Sequence, residues 1–152
     1  MRVQLSFRVE CPADAAWAVL VSPAELTRAY APLLQVHPEG PLPDRWRAGH
    51  EIVIGMRLFG LVPFGRQLVA IRMRRRGETR ILEDAGGPLS GPLAVVTSWR
   101  HRMAATPLPN GATLYRDRLD VSAGLLTPAV WLVLWGVWQL RGAHLRRTMR
   151  SR

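Results

Sequence analysis

Two stretches of this chain set ionisable residues among apolar ones at a spacing of two. In Leu93–Ala105, Trp99, His101 and Met103 alternate with Arg100 and Arg102; in Ala112–Val121, Tyr115, Asp117 and Leu119 alternate with Arg116 and Arg118. Period-two alternation marks half-buried strands, and the intervening Pro107-Leu-Pro-Asn-Gly is a hairpin signal. With Thr106 opposite Ala112, Trp99 faces Leu119, His101 faces Asp117 and Met103 faces Tyr115, all six on one apolar face. A carboxylate beside an imidazole stabilises the charged ring or fixes its tautomer. His101 and Asp117 are therefore the candidate acid–base pair. The competing reading is a satisfied buried polar pair that sets strand register, because buried polar groups need partners whether or not they act. No serine sits in a nucleophile elbow, and Cys11 lies far away in sequence.

Other residues suggest a pocket. Trp131, Trp135 and Trp138 fall at i, i+4 and i+7, a helical stripe that lines an apolar cavity or packs a core. Arg141, three residues on, would place a guanidinium at the cavity end to meet a carboxylate or phenolate, or would simply favour the helix dipole. Met56 and Ile71 belong to inward faces of two further strands. His50 alternates with Ile52, Ile54, Met56 and Leu58 and would reach the cavity mouth. The candidate ligand-binding set is thus Trp99, Met103, Tyr115, Met56, Ile71, Trp131, Trp135, Trp138, Arg141 and His50. No His-x-x-x-His, Glu-x-x-His or Cys-x-x-Cys spacing occurs, so neither a metal nor another cofactor is expected.

The elements that must hold these residues can be read in order. Arg2–Glu10 alternates as a strand; Asp14 would cap a short helix carrying Trp17; Ser22-Pro23 opens a second helix that should run to about Ala31. Strands follow at Leu33–His37, Trp46–Leu58, Arg66–Arg75 and Thr79–Asp84, with Gly86–Pro92 as a loop before the hairpin. Thr127-Pro128, read as N-cap and N1, starts a long helix to about Met149. Its first half is apolar nearly all round and should be largely covered. This order gives an α+β domain: a curved antiparallel sheet of about six to seven strands wrapped around the C-terminal helix, as one domain over residues 1–152.

Composition bounds the partners. The chain has 152 residues, is 48% hydrophobic and carries 21 basic against 11 acidic residues, a formal charge of +10; every basic residue is arginine. One cysteine excludes an intrachain disulfide framework. The hairpin register sets Arg100 against Arg118 and Arg102 against Arg116, beside Arg72 and Arg74. Glu83, Asp120 or a bound anion should offset the repulsion. Nucleic acid is not the expected partner, because interleaved aromatics and helix–turn–helix motifs are missing. Val121–Leu140 carries no charge and precedes Arg141, Arg146, Arg147, Arg150 and Arg152. Its continuous apolar part, Ala129–Trp138, has the length of a buried helix rather than a membrane span. The N-terminus is not a signal peptide. A cytoplasmic monomer or homodimer, with peripheral membrane contact as an option, is the expectation.

The stretches CPADAAWAVLVSPAELTRAYAP, SWRHRMAATPLPNGATLYRDRLD and WQLRGAHLRRTM, with the element order, resemble the START-related helix-grip superfamily (SRPBCC), which includes lipid-transfer domains and polyketide cyclase/dehydrase-like proteins. That resemblance spans essentially the whole chain. It implies a cavity between the last helix and the concave sheet, holding a small hydrophobic or amphipathic ligand such as a lipid, polyketide or aromatic compound. Many members only bind; the alternative is a cyclase, dehydratase or isomerase using His101 and Asp117. An arginine-faced adaptor for anionic lipid or nucleic acid is the remaining option.

Overall fold

The computed structural model describes Met1–Ser151; Arg152, the last of the basic residues, lies outside the described residues. Strand β1 (Arg2–Val9) is followed by helices α1 (Ala13–Leu20) and α2 (Pro23–Arg28). Then come β2 (Leu34–Pro38), β3 (Glu51–Leu58), β4 (Val62–Arg76), β5 (Thr79–Asp84), β6 (Gly87–Ser90), β7 (Ser98–Pro107) and β8 (Thr113–Ser122), and finally α3 (Thr127–Arg150). The sheet runs β1-β8-β7-β5-β4-β3-β2, every ladder antiparallel, with β6 paired to β4. This is a helix-grip fold: the sheet curves around α3, with the two short helices after β1. The sheet has eight strands; β6 is the addition, formed in a stretch that glycines and prolines marked as loop.

The local signals explain most boundaries. Ser22 caps α2 by accepting from the Glu25 N–H at 3.3 Å, with Pro23 at N1. Asp14 does not cap α1; its carboxylate pairs instead with Arg80 at 2.5 Å, and Pro12 precedes the helix. Thr127 is the first residue of α3 rather than its cap. A 3₁₀ turn at Gly124–Leu126 precedes it, and the Thr127 hydroxyl braces that turn by accepting from the Ala123 N–H and donating to the Gly124 carbonyl.

Two apolar clusters form the core. One joins β1, α1 and β8 to the end of α3 through Phe7, Leu20, Tyr115, Leu145 and Met149. The other gathers Val3, Leu119, Val137 and Trp138. Helix α3 crosses β1 closely at Gly142, where an added Cβ would sit 2.7 Å from Leu5 Cδ1. Burial along α3 is one-sided. Val137, Trp138, Arg141, Gly142, Leu145 and Met149 are buried, while Leu132, Val133, Trp135 and Leu140 are exposed. The expectation that its first half would be largely covered is therefore overturned: the fold has two layers, and among the described residues nothing lies over the outer side of the helix. The uncharged run 121–140 is shared between the end of β8, the 3₁₀ turn and α3. Among the described residues no helix is long and apolar enough to cross a membrane.

Candidate functional site

The β7–β8 hairpin is tighter than the sequence suggested. The Leu108 N–H bonds to the Ala112 carbonyl at 2.8 Å, leaving Pro109-Asn110-Gly111 as a three-residue loop, with Gly111 at φ 79°. The register consequently shifts by two: Trp99 pairs with Val121, His101 with Leu119, Met103 with Asp117 and Ala105 with Tyr115. An even shift preserves the faces, so His101 and Asp117 still meet, diagonally, with Nε2 2.8 Å from Oδ1. On the outer face the shift places Arg100 opposite Asp120 and leaves Arg102 opposite Arg118. Asp120 then accepts from Arg2, Arg102 and Arg118 at 2.7, 2.9 and 2.8 Å, which offsets the repulsion.

Asp117 is the centre of a buried knot. Oδ1 accepts from His101 Nε2 and from the Trp138 indole N–H at 3.0 Å; Oδ2 accepts from the Tyr115 hydroxyl at 2.6 Å and from the Arg141 guanidinium. Arg141 also donates to the Tyr115 oxygen at 3.4 Å and contacts Met103 Sδ, and its guanidinium lies 5.6 Å from the ring centroids of both Tyr30 and Trp138. Burial alone would push the Asp117 carboxyl up, but the Arg141 and His101 charges and these donors hold it well below the usual carboxylate range. Burial likewise opposes charge on Arg141, and Asp117 overcomes it, holding the guanidinium above its ordinary value. The Tyr115 hydroxyl is raised well above its ordinary value by burial and by the neighbouring carboxylate.

Beside this knot opens a cavity of about 250 Å³, just below the ~300 Å³ lower end of drug-sized pockets. Of the residues singled out in the sequence, Met56, Ile71, Trp99, His101, Met103, Trp138 and Arg141 line it. The rest stand elsewhere. Tyr115 is fully buried against Phe7, ring centroids 4.8 Å apart, with its hydroxyl committed to Asp117. Asp117 lies behind His101 and Arg141 rather than in the wall. His50 precedes β3, which begins only at Glu51; its Nδ1 accepts from the Arg47 N–H at 3.3 Å. Trp131 donates to the Arg2 carbonyl at 2.7 Å on the β1 side, and Trp135 is exposed. The tryptophan stripe exists, but the sheet closes over only its Trp138 end. Arg141 reaches the wall with its charge already engaged by Asp117, and it sits within α3 rather than in the last turn.

The polar wall of the cavity includes residues not singled out before: Asp84 and Gln67, with Tyr30 and Trp46 nearby in the lining. Asp84 ends β5 directly opposite His101 of β7. Its Oδ1 accepts from the Ala70 and Gly86 N–H groups, each at 3.0 Å, and its Oδ2 accepts from Gln67 Nε2 at 3.3 Å. Gly86 is required there, since a Cβ would collide with the Leu68 carbonyl. Burial pushes the Asp84 carboxyl up, against the backbone donors and His101, which lower it. The Trp99 indole N–H points toward this carboxyl without completing a hydrogen bond, and the Trp46 indole N–H is also buried without a partner. His101 Nδ1 makes no hydrogen bond to a described residue. A period-two reading of β5 could have found Asp84, which shares the face of the buried Leu82; Gln67 likewise shares a face with Val69 and Ile71. Among the described residues no group of three or more His, Cys, Asp or Glu side chains is placed to hold a metal ion.

No protein-family profile matches the chain, and no curated protein matches it in sequence. Solved structures do match in fold. A structural-genomics protein from Chromobacterium violaceum is 14% identical, with a TM-score of 0.70 over 98% of this chain and 96% of that one. A hypothetical protein from Helicobacter pylori is 12% identical, with a TM-score of 0.74 over 99% and 88%. Norcoclaurine synthase from Thalictrum flavum, solved with dopamine and hydroxybenzaldehyde, is 10% identical, with a TM-score of 0.67 over 100% and 87%. At these identities the likeness is one of fold.

Proposed function

We propose that this chain is a START-related helix-grip protein that binds a compact, largely apolar molecule in the cavity between α3 and the sheet, reading one polar group of that molecule with Asp84 and His101. The observation that carries this reading is the uneven lining of the cavity. Its walls are aliphatic and aromatic side chains, and its hydrogen-bonding capacity is concentrated where Asp84, Gln67, His101 and Trp99 converge. Such a wall selects by position and type of polar group, while the apolar remainder supplies affinity. The volume suits a one- or two-ring molecule better than a long-chain lipid. The Arg141 charge is neutralised by Asp117, and the acceptor with spare capacity at the wall is Asp84 Oδ2, which carries only the 3.3 Å bond from Gln67, so a hydroxyl or amine is favoured over a carboxylate.

One observation favours a second, catalytic reading. Asp117 accepts from His101 Nε2, which orients the ring and leaves Nδ1 without a hydrogen-bond partner among the described residues, and Asp84 stands opposite on the neighbouring strand. A proton acceptor and a buried acid on one wall could serve an isomerase, dehydratase or cyclase. In that chemistry Asp117 would orient the imidazole and the Asp84–His101 pair would exchange protons with the bound molecule. Titration of phenol, benzylamine and benzoate, followed by tryptophan fluorescence, tests the binding reading. Saturable quenching by phenol or benzylamine, weakened at least about tenfold by Asp84→Asn, supports it. Quenching by none, or equal quenching of wild type and variant, contradicts it.

A further inference from the structure

The outer face of α3 is unusual for a surface helix. Leu125, in the preceding 3₁₀ turn, is fully exposed; Leu132 and Leu140 are 62% and 59% exposed, and Trp135 is half-exposed. Ala129 and Gly136, also on the uncovered side, complete a stripe that advances by three or four residues and so stays on one side of the helix. Continued toward the C-terminus, the same spacing reaches Arg147 and Arg150, both exposed, with exposed Arg146 alongside and stacked 4.5 Å over the Phe7 ring. No acidic residue follows Asp120 in the sequence. The stripe therefore changes from apolar to cationic along its length, with nothing to neutralise the cationic part within the helix.

A second element extends this surface. The β3–β4 turn exposes Phe59, Leu61 and Val62, with Leu61 78% exposed. The turn is tied to the α3 neighbourhood because the Phe59 N–H donates to the Leu33 carbonyl at 2.8 Å, and Leu33 packs in the same apolar cluster as Val130, Trp131 and Leu134 of α3. Val133 belongs both to this exposed surface and to the cavity wall.

We propose that the outer face of α3, together with the β3–β4 turn, docks this protein on an anionic lipid surface, with Leu125, Leu132, Leu140 and Leu61 entering the interface and Arg147 and Arg150 meeting lipid phosphates. Charge decides the occupant. A second copy of this chain would set like charge against like at a net +10, whereas an anionic bilayer accepts both halves of the stripe at once. The helix is not apolar enough over its length to span, so it lies in the interface plane. A half-exposed tryptophan at the edge of the stripe fits that depth.

The test is co-sedimentation of the full chain with vesicles of equal parts phosphatidylglycerol and phosphatidylcholine, against vesicles of phosphatidylcholine alone. Binding to the mixed vesicles, weaker on the neutral ones and reduced by salt, is expected. Arg147→Gln with Arg150→Gln should lower partitioning about tenfold or more. Leu132→Gln with Leu140→Gln, at positions outside the cavity lining, should lower it comparably while circular dichroism and phenol binding stay unchanged. Leu61→Gln reports the turn separately and should weaken binding by a smaller factor. Failure of the wild type to sediment with anionic vesicles, equal binding to neutral ones, or a dimer in sedimentation equilibrium that Leu132→Gln with Leu140→Gln dissolves would each overturn the proposal. None of these three overturning outcomes depends on what the cavity holds.

Discussion

Two buried carboxylates sit on the concave side of one sheet and are treated oppositely. Asp117 receives four donors from side chains, one of them a fully buried arginine, and its charge is held in place from every side. Asp84 receives two backbone N–H groups and one long amide contact, has no cationic hydrogen-bond partner, and faces the cavity. The first arrangement fixes structure: a saturated anion has no capacity left for a ligand. The second leaves one oxygen with a single 3.3 Å donor, Gln67, at an apolar wall where burial already disfavours the charge. Of the two, Asp84 is the one whose chemistry remains open.

Breaking the saturated knot should cost the most. Arg141→Met would leave the Asp117 charge buried without its counter-ion and lower stability by about 3–5 kcal/mol in denaturant unfolding. Tyr115→Phe removes one donor to the same carboxylate and should cost about 2 kcal/mol, without altering the face on which His101 lies.

The open carboxylate should behave differently. Asp84→Asn retains an oxygen for the Ala70 and Gly86 N–H groups and removes a charge that burial opposes. At neutral pH it should change stability by no more than about 1 kcal/mol, in the stabilising direction. The pH dependence separates the pair. Asp117, held low in the folded state, contributes stability above the ordinary carboxylate value that is lost as pH falls below it. Asp84, held high, binds its proton more tightly when folded, so its contribution declines as pH rises through and above that ordinary value. Asp84→Asn should flatten that decline in unfolding measured across the mildly acidic range and leave the acid limb unchanged.

The smallest effect belongs to the partly exposed Asp120. Burial works against its charge, but three arginines hold its carboxyl down at about 2. Each pair is solvent-screened, so Asp120→Asn should cost about 1 kcal/mol or less, and less again at high salt. The stability Asp120 does contribute is present at neutral pH and fades as pH falls toward that depressed value.

The fold and half of the site could be read from the residues. Alternation in β1, β7 and β8 fixed which side chains share a face, and that survived a register error of two because the period is two. Capping chemistry placed the start of α2 correctly, since Ser22, Pro23 and Glu25 act locally, but the helix ends at Arg28 rather than near Ala31. What escaped was tertiary. The stripe Trp131–Trp135–Trp138 is uniform in sequence, yet only Trp138 is fully buried and lines the cavity; Trp131 packs at the β1 edge and Trp135 is exposed. Arg141 looked like a free anchor because its partner, Asp117, arrives from another element. Asp84 was overlooked because it ends its strand, and its opposition to His101 depends on the β5–β7 pairing, which joins strands across a long connection. No local pattern distinguishes an arginine or a carboxylate that is committed from one that is not.

The most direct test observes the cavity itself and what Asp84 contributes to it. In a protein labelled at methionine and isoleucine methyls, phenol is titrated while Met56, Met103 and Ile71, which line the cavity, are followed by NMR. Met149, buried in the core but absent from the lining, serves as the internal control. The account predicts saturable shifts at the three lining methyls, none at Met149, and affinity reduced about tenfold in Asp84→Asn with an otherwise unchanged spectrum. Unmoved lining methyls, or equal affinity in wild type and Asp84→Asn, would contradict it.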